Sequence, residues 1–468
     1  MFFTLGKQTI IQLSGKIVST IIGLFIVGLM TRNLGTAGFG EYTSVVTFLQ
    51  FFGILIDFGL TMTLGRELGA ALIPQNKLVS NLFSFRVVTS TIVFLLAPAI
   101  AWLLPYSLAI KLGITITSLA FWISSISQSL TGVFQTKLKS NWLVIAELGG
   151  RLVLLIGTAW IIYQNLPFSG YFVALIAANL IGGLITFIAV KKLTPFNWEI
   201  DLKIWKHLWL TTWPVAVTIT LNLIYFKADT IILSLIRPVA EVGIYGAAYK
   251  VLEVLLILPT IIGGLILPLA AQAYAQQKTN ELISLFQGTF DSLLAAGLAI
   301  ISGCVILGIP LMILLAGNNF AISGTLLGIL SLATACNFLG GGAGYIIFAI
   351  NQQKTMIPYY AGVALISLIG YVILIPRFTF WGAAWVTVLS EALMAAANII
   401  ILARYNIKIS FVRLPKIILA TIILSCAFLI PVPFIIKIII GATVYLLAIY
   451  KLKLIPKSFN NSDIVISN

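Results

Sequence analysis

Residues Thr9 to Met30 read TIIQLSGKIVSTIIGLFIVGLM. The run carries one charge, Lys16, and matches the roughly 20 mostly apolar residues that a membrane-spanning helix needs. Thr31-Arg32-Asn33 follows it rather than a small-residue cleavage site, so the run is expected to stay as a span and not to be removed as a signal peptide.

The same pattern repeats along the chain. Reading apolar runs between polar breaks predicts fourteen spans: 8–31, 42–63, 78–104, 108–134, 142–163, 170–190, 213–236, 243–268, 287–315, 322–350, 357–375, 381–403, 413–430 and 433–451. The composition agrees. Of 468 residues, 60% are hydrophobic and 9% charged, against about 25% charged in soluble chains. The mean hydropathy is +1.10. A soluble fold is excluded. The predicted fold class is an all-α integral membrane protein of about fourteen transmembrane helices.

The net charge of +15 has a topological reading. With the N-terminus placed in the cytoplasm, eighteen Lys and Arg fall in inside segments and five in outside ones. That is the positive-inside bias, and it predicts N-in, C-in topology. Nucleic acid is not needed to explain the basic balance. Cys304, Cys336 and Cys426 lie in apolar runs without metal-ligand or disulfide spacing, and His207 is the single histidine. No metal, cofactor or catalytic residue is expected.

The longest polar connection, KKLTPFNWEIDLKIWKHLWL from Lys191 to Leu210, divides the chain. It is basic, amphipathic and Trp-rich, which fits either a helix in the cytoplasmic interface or an ordinary positive-inside linker. The predicted domains are 1–190 (spans one to six), the linker 191–210, 211–403 (spans seven to twelve), and 404–468 (a terminal pair and tail). The two large parts repeat weakly. Phe39-Gly40-Glu41-Tyr42 matches Val242-Gly243-Ile244-Tyr245; Gly149, Gly157 and Gly170 match Gly362, Gly370 and Gly382. Two six-helix lobes in parallel pseudo-repeat, plus a C-terminal helix pair, are the expected architecture.

Ionisable groups within spans are costly and mark candidate function. At about 1.5 Å per residue, Lys16 lies about 12 Å in from the cytoplasmic end, and Arg86, Arg151, Glu147 and Asp57 come out near the same level. Further on, Lys227 and Asp229, then Lys250 and Glu253, lie roughly 10–14 Å from the outer end, and Glu391 falls near the midplane. Lys16, Arg86, Arg151, Lys227 and Lys250 are candidate anion-binding residues. Asp57, Glu147, Asp229, Glu253 and Glu391 are candidate ion-coupling residues. Glu147 with Arg151 (i, i+4) and Lys250 with Glu253 (i, i+3) also suit structural pairs on one helix face. Asp291, close to the inner interface, is expected to be solvated.

Two stretches carry a family resemblance: Leu29–Ala70, LMTRNLGTAGFGEYTSVVTFLQFFGILIDFGLTMTLGRELGA, and Ala228–Gln272, ADTIILSLIRPVAEVGIYGAAYKVLEVLLILPTIIGGLILPLAAQ. With Ile375-Pro376 and Gly382-Ala383-Ala384, they resemble the O-antigen and exopolysaccharide repeat-unit flippases of the multidrug/oligosaccharidyl-lipid/polysaccharide exporter superfamily. The resemblance implies two lobes around a cationic cavity that opens alternately to either side. It implies an undecaprenyl-pyrophosphate-linked oligosaccharide as substrate, with H⁺ or Na⁺ as candidate coupling ion. Membrane lipid is the surrounding partner, a polysaccharide polymerase is a candidate partner, and a bacterial cytoplasmic membrane is the expected location. No Walker-type GxxxxGK[ST] is present, in keeping with transport that ATP does not drive. The alternatives are a multidrug or cation antiporter, a lipid II flippase of the same superfamily and, more distantly, a membrane-embedded glycosyltransferase or polymerase.

Overall fold

The computed structural model describes residues 2–57, 60, 73–137, 139–452 and 454, with side chains described except at 2–10, 135, 213–219 and 222–226. Phe58-Gly59 and Arg66-Glu67 of the first resemblance stretch lie outside the described residues. So do Lys453 and Lys457 and the side chains of Lys7 and Trp213.

Over the described residues the fourteen apolar runs fall on helix, apart from end residues and short breaks at Thr131 and Leu256. Lipid offers the backbone no hydrogen-bond partners, so apolar runs of this length satisfy their own N–H and C=O groups as helix. The elements are α1 (Phe2–Asp57), α2 (Gln75–Leu103), α3 (Leu108–Leu130), α4 (Gly132–Thr136), α5 (Ser140–Tyr163), α6 (Ser169–Leu193), α7 (Leu202–Ile236), α8 (Val239–Leu255), α9 (Ile257–Ala275), α10 (Thr279–Ala316), α11 (Ala321–Ala349), α12 (Ile357–Arg404), α13 (Leu414–Leu429) and α14 (Phe434–Lys451). Among the described residues ten helices are long and apolar enough to cross a membrane.

Two of these helices are each interrupted once. In α1, Gly35 takes φ 64° and ψ −171°, a left-handed conformation open to glycine without a steric penalty. Asn33 on one side of it bonds Tyr171, and Tyr42 on the other stacks on Phe172. Both flanks therefore meet the start of α6, and the chain reverses at Gly35. In α12, Thr379 plays the corresponding part with φ 57°.

The chain divides into two compact units, Met1–Gly246 and Ala247–Asn468. In the first, Gly113 of α3 lies against Val45 and Phe172, while Gly15 of α1 lies against Val144 of α5. The two halves of α1, then α2, α3, α5 and α6, run alternately up and down. One end of this unit is filled by Leu78, Leu82, Phe85, Phe134, Val190 and Leu208; the other by Val45, Phe48, Phe94, Tyr106 and Phe172. The connection after α6 is fixed to the first turns of α2. Asn197 N–H donates to Ser80 (3.1 Å), Asp201 N–H to Asn81 Oδ1 (2.6 Å), and Lys77 pairs with Asp201 (2.8 Å). Leu202 to Leu210 form the opening turns of α7, which continues without a break to Ile236.

In the second unit α9, α10, α11 and α12 share one core and α10, α13 and α14 another. Asp291, expected to be solvated, is buried: it accepts from Gln287 Nε2 (2.8 Å) and Arg413 (3.1 Å). The correction has a tertiary cause, because the segment before α13 folds back over α10. Gln287 also bonds both the N–H and the C=O of Ser410, at 2.8 Å each. Ser302–Ser425 (2.8 Å) and Tyr445 OH to Ala295 O (2.7 Å) hold the terminal helix pair to α10.

The repeat seen in the glycines is present in the contacts. A Cβ on Gly157 would meet Ala174, and one on Gly370 would meet Val386. A Cβ on Gly170 would meet Ile161, and one on Gly382 would meet Leu374. These two matched pairs close corresponding helix–helix contacts in their own units, whereas Gly149 meets Ile185 and its match Gly362 faces open space.

Candidate functional site

A polar seam joins the first half of α1 to α5. Gln12, Lys16, Ser19 and Gly23 stand at i, i+4, i+7 and i+11, which puts them on one face of α1. Ser140, Val144, Glu147 and Arg151 stand at the same intervals on α5. The two stripes meet in constant register, since the helices run parallel. Gln12 Nε2 donates to Ser140 Oγ (2.5 Å) and Ser19 Oγ to Glu147 Oε1 (2.8 Å), each across 128 residues. Lys16 Nζ reaches the same carboxylate oxygen at 3.1 Å. One turn on, a Cβ at Gly23 would lie 3.6 Å from Nη1 of Arg151. The glycine leaves a shelf on which the guanidinium rests.

The charges in this seam are accessible. The side chains of Lys16 and Glu147 are 50% and 30% exposed. Arg151 has no hydrogen-bond or ion-pair partner among the described residues, and its charge acts on Tyr42. Two cations and one carboxylate leave the seam one positive charge in excess. Glu147 and Arg151 do not form the i, i+4 pair that their spacing allows, because Glu147 turns across to α1.

Arg86 and Asp57 form a different set. Arg86 is fully buried. Its Nε donates to Ser125 O (3.1 Å), its Nη1 to Ile56 O, and its Nη2 to Asp57 Oδ1 (3.2 Å). The guanidinium therefore ties α1, α2 and α3 together, and every nitrogen has an acceptor. No nitrogen is left facing open space for a ligand.

The remaining candidates are dispersed. Asp229 is fully buried and accepts from Thr230 N–H (2.5 Å), Thr230 Oγ1 (3.1 Å) and Tyr245 OH (2.5 Å), with the Lys227 charge nearby. It fastens α7 to α8. Lys250 pairs with Glu253 on its own helix at 2.7 Å, as their spacing anticipates. Glu391 of α12 is 4% exposed and accepts from Asn337 Nδ2 of α11 at 3.0 Å. Cys336 and Tyr360 lie within its electrostatic reach. Among the described residues no three His, Cys, Asp or Glu side chains gather as metal ligands would.

The family model described as "Polysaccharide biosynthesis protein" matches residues 5–274, more than half of the chain and all of the seam. The chain belongs to that family. A lipid II flippase, MurJ, in an inward closed conformation is similar at TM-score 0.77 and 16% identity, over 97% of this chain and 99% of that one. An inward-facing multidrug-resistance MATE family transporter is similar at TM-score 0.68 and 13% identity, over 85% and 98%. A MOP superfamily transporter from Pyrococcus furiosus is similar at 0.60 and 14%, over 86% and 95%. At these identities the likeness is one of fold. No curated protein sequence matches. The chain is thus a multi-pass membrane protein of this family.

Within the family member, helical depth arithmetic brought out Lys16, Glu147 and Arg151 but passed over Gln12, Ser19, Gly23 and Ser140. Their signal is in the sequence, as two stripes with identical intervals. Recognising it requires knowing that α1 and α5 are neighbours.

Proposed function

We propose that the protein translocates undecaprenyl-diphosphate-linked oligosaccharide repeat units across a bacterial cytoplasmic membrane for surface polysaccharide synthesis. Transport is by alternating access and is ion-coupled. The observation that carries this reading is the α1–α5 seam. It offers a half-exposed ammonium and a guanidinium without a counter-ion among the described residues, on facing helices, to an anionic headgroup. A cationic drug would meet an excess of positive charge there, which opposes the antiporter reading.

For coupling, Glu391 is favoured over Asp229. Asp229 has three donors and a role in holding two helices; Glu391 accepts from Asn337 in a buried setting. H⁺ and Na⁺ are both compatible with it.

The test is the leaflet distribution of labelled lipid-linked oligosaccharide in a deletion strain. Accumulation on the cytoplasmic side, reversed by the wild-type chain but not by Lys16→Gln or Arg151→Gln at equal protein level, supports the proposal. Normal distribution in the deletion strain refutes it. A second reading, transport of lipid II, is favoured by the likeness to a lipid II flippase over nearly the whole chain. Depletion would then lyse cells rather than strip their surface polysaccharide.

A further inference from the structure

Glu147 occupies the place a ligand anion would take. Its carboxylate meets Lys16 Nζ (3.1 Å) and Ser19 Oγ (2.8 Å) on α1, and Arg151 follows one turn later on its own helix. The Lys16 contact lies in a half-exposed setting, where ion pairs are worth little and exchange readily. We propose that Glu147 is a built-in competitor for the substrate's diphosphate: it holds Lys16 in the empty protein, yields it when a diphosphate arrives, and takes it back on release. This rests on the proposed headgroup role of the seam and adds to it a residue that sets how tightly the headgroup is held.

The competition gives the transporter a means of letting go. A diphosphate held by Lys16, Ser19 and Arg151 with no rival would bind in one state and leave slowly. A tethered carboxylate on the facing helix is always present at high effective concentration, and it replaces the leaving anion without exposing a bare ammonium in the membrane. Binding and release then exchange one anion for another on the same lysine.

The experiment is binding of undecaprenyl diphosphate to the full chain in lipid nanodiscs, followed by intact-complex mass spectrometry. It compares the wild type with Glu147→Gln, Lys16→Gln, Arg151→Gln and the Lys16→Gln/Glu147→Gln double variant. Glu147→Gln is expected to bind about fivefold tighter, the factor an ion pair of ordinary half-exposed strength allows. It is also expected to release more slowly, and the gain disappears in the double variant. Glu147→Asp, with a shorter reach, is expected between wild type and Glu147→Gln and serves if the latter is not recovered folded. Unchanged or weaker binding by either Glu147 variant, while Lys16→Gln and Arg151→Gln weaken it, overturns the competitor role and leaves the headgroup site standing. Wild-type binding in Lys16→Gln and Arg151→Gln overturns both.

Discussion

Arg86→Ala would leave Asp57, Ile56 O and Ser125 O without the guanidinium that each now meets. Breaking a buried pair by removing one partner costs about 3–5 kcal/mol. The expected outcome is loss of folded protein, read as a collapsed monodisperse peak in detergent gel filtration. Lys16→Gln removes a half-exposed pair worth at most about 1 kcal/mol. It should keep the peak and lose leaflet transfer, so the two cations separate by assay. Gly23 gives a graded check. Alanine places a Cβ 3.6 Å from Arg151, an ordinary contact. Leucine would push the guanidinium off its shelf. Gly23→Ala is expected to transfer normally and Gly23→Leu to fail as Arg151→Gln does.

At the scale of elements, the seam shows what a sequence carries and what it withholds. Periodicity along one helix is local, so the common level at which Lys16 and Glu147 meet was legible from span ends. Partner choice is not local. Spacing allowed Glu147 to pair with Arg151, yet its partners come from α1, and the constant offset between the stripes exists only once the two helices lie parallel. Asp291 was misplaced for the same reason, its partner arriving from beyond α12. The contact of Lys250 with Glu253 was legible in their spacing because both lie on one helix. The latch between α2 and the connection before α7 has a pH signature. Lys77, and then the Lys203 N–H, hold the Asp201 carboxyl below its ordinary value. A depressed carboxylate contributes its stability above the unfolded value of about 3.9, and the contribution fades as pH falls through the folded value. Protease cleavage between Thr194 and Asp201 is expected to stay slow at neutral pH and to quicken only below about pH 4. Asp201→Ala should show the quickening at neutral pH.

At the scale of the whole molecule, the repeat was legible because glycines mark close helix contacts, and close contacts are what a duplicated fold keeps. The motif glycines Gly40 and Gly243 add a further contact, within the first unit. A Cβ on Gly40 would fall 1.9 Å from Val239 O, and one on Gly243 would fall 2.0 Å from Thr36 O. No side chain fits there without parting α1 from α8. Gly40→Ala and Gly243→Ala should each lower the thermal midpoint by several degrees. Gly362→Ala, with open space around it, should hold or raise the midpoint, since alanine favours helix over glycine by about 1 kcal/mol.

The separations along the chain also order events in time. Asp57 and Arg86 are 29 residues apart, whereas Lys16 and Glu147 are 131 apart. At a synthesis rate of about 5–20 residues per second, Arg86 emerges within a few seconds of its carboxylate. Lys16 waits on the order of ten seconds or more for its own. The pair whose arginine is fully buried is the one that the ribosome completes quickly. The lysine that waits is the one whose finished site keeps it half in contact with its surroundings, so a newborn α1 can hold its charge at the wet surface until α5 is made.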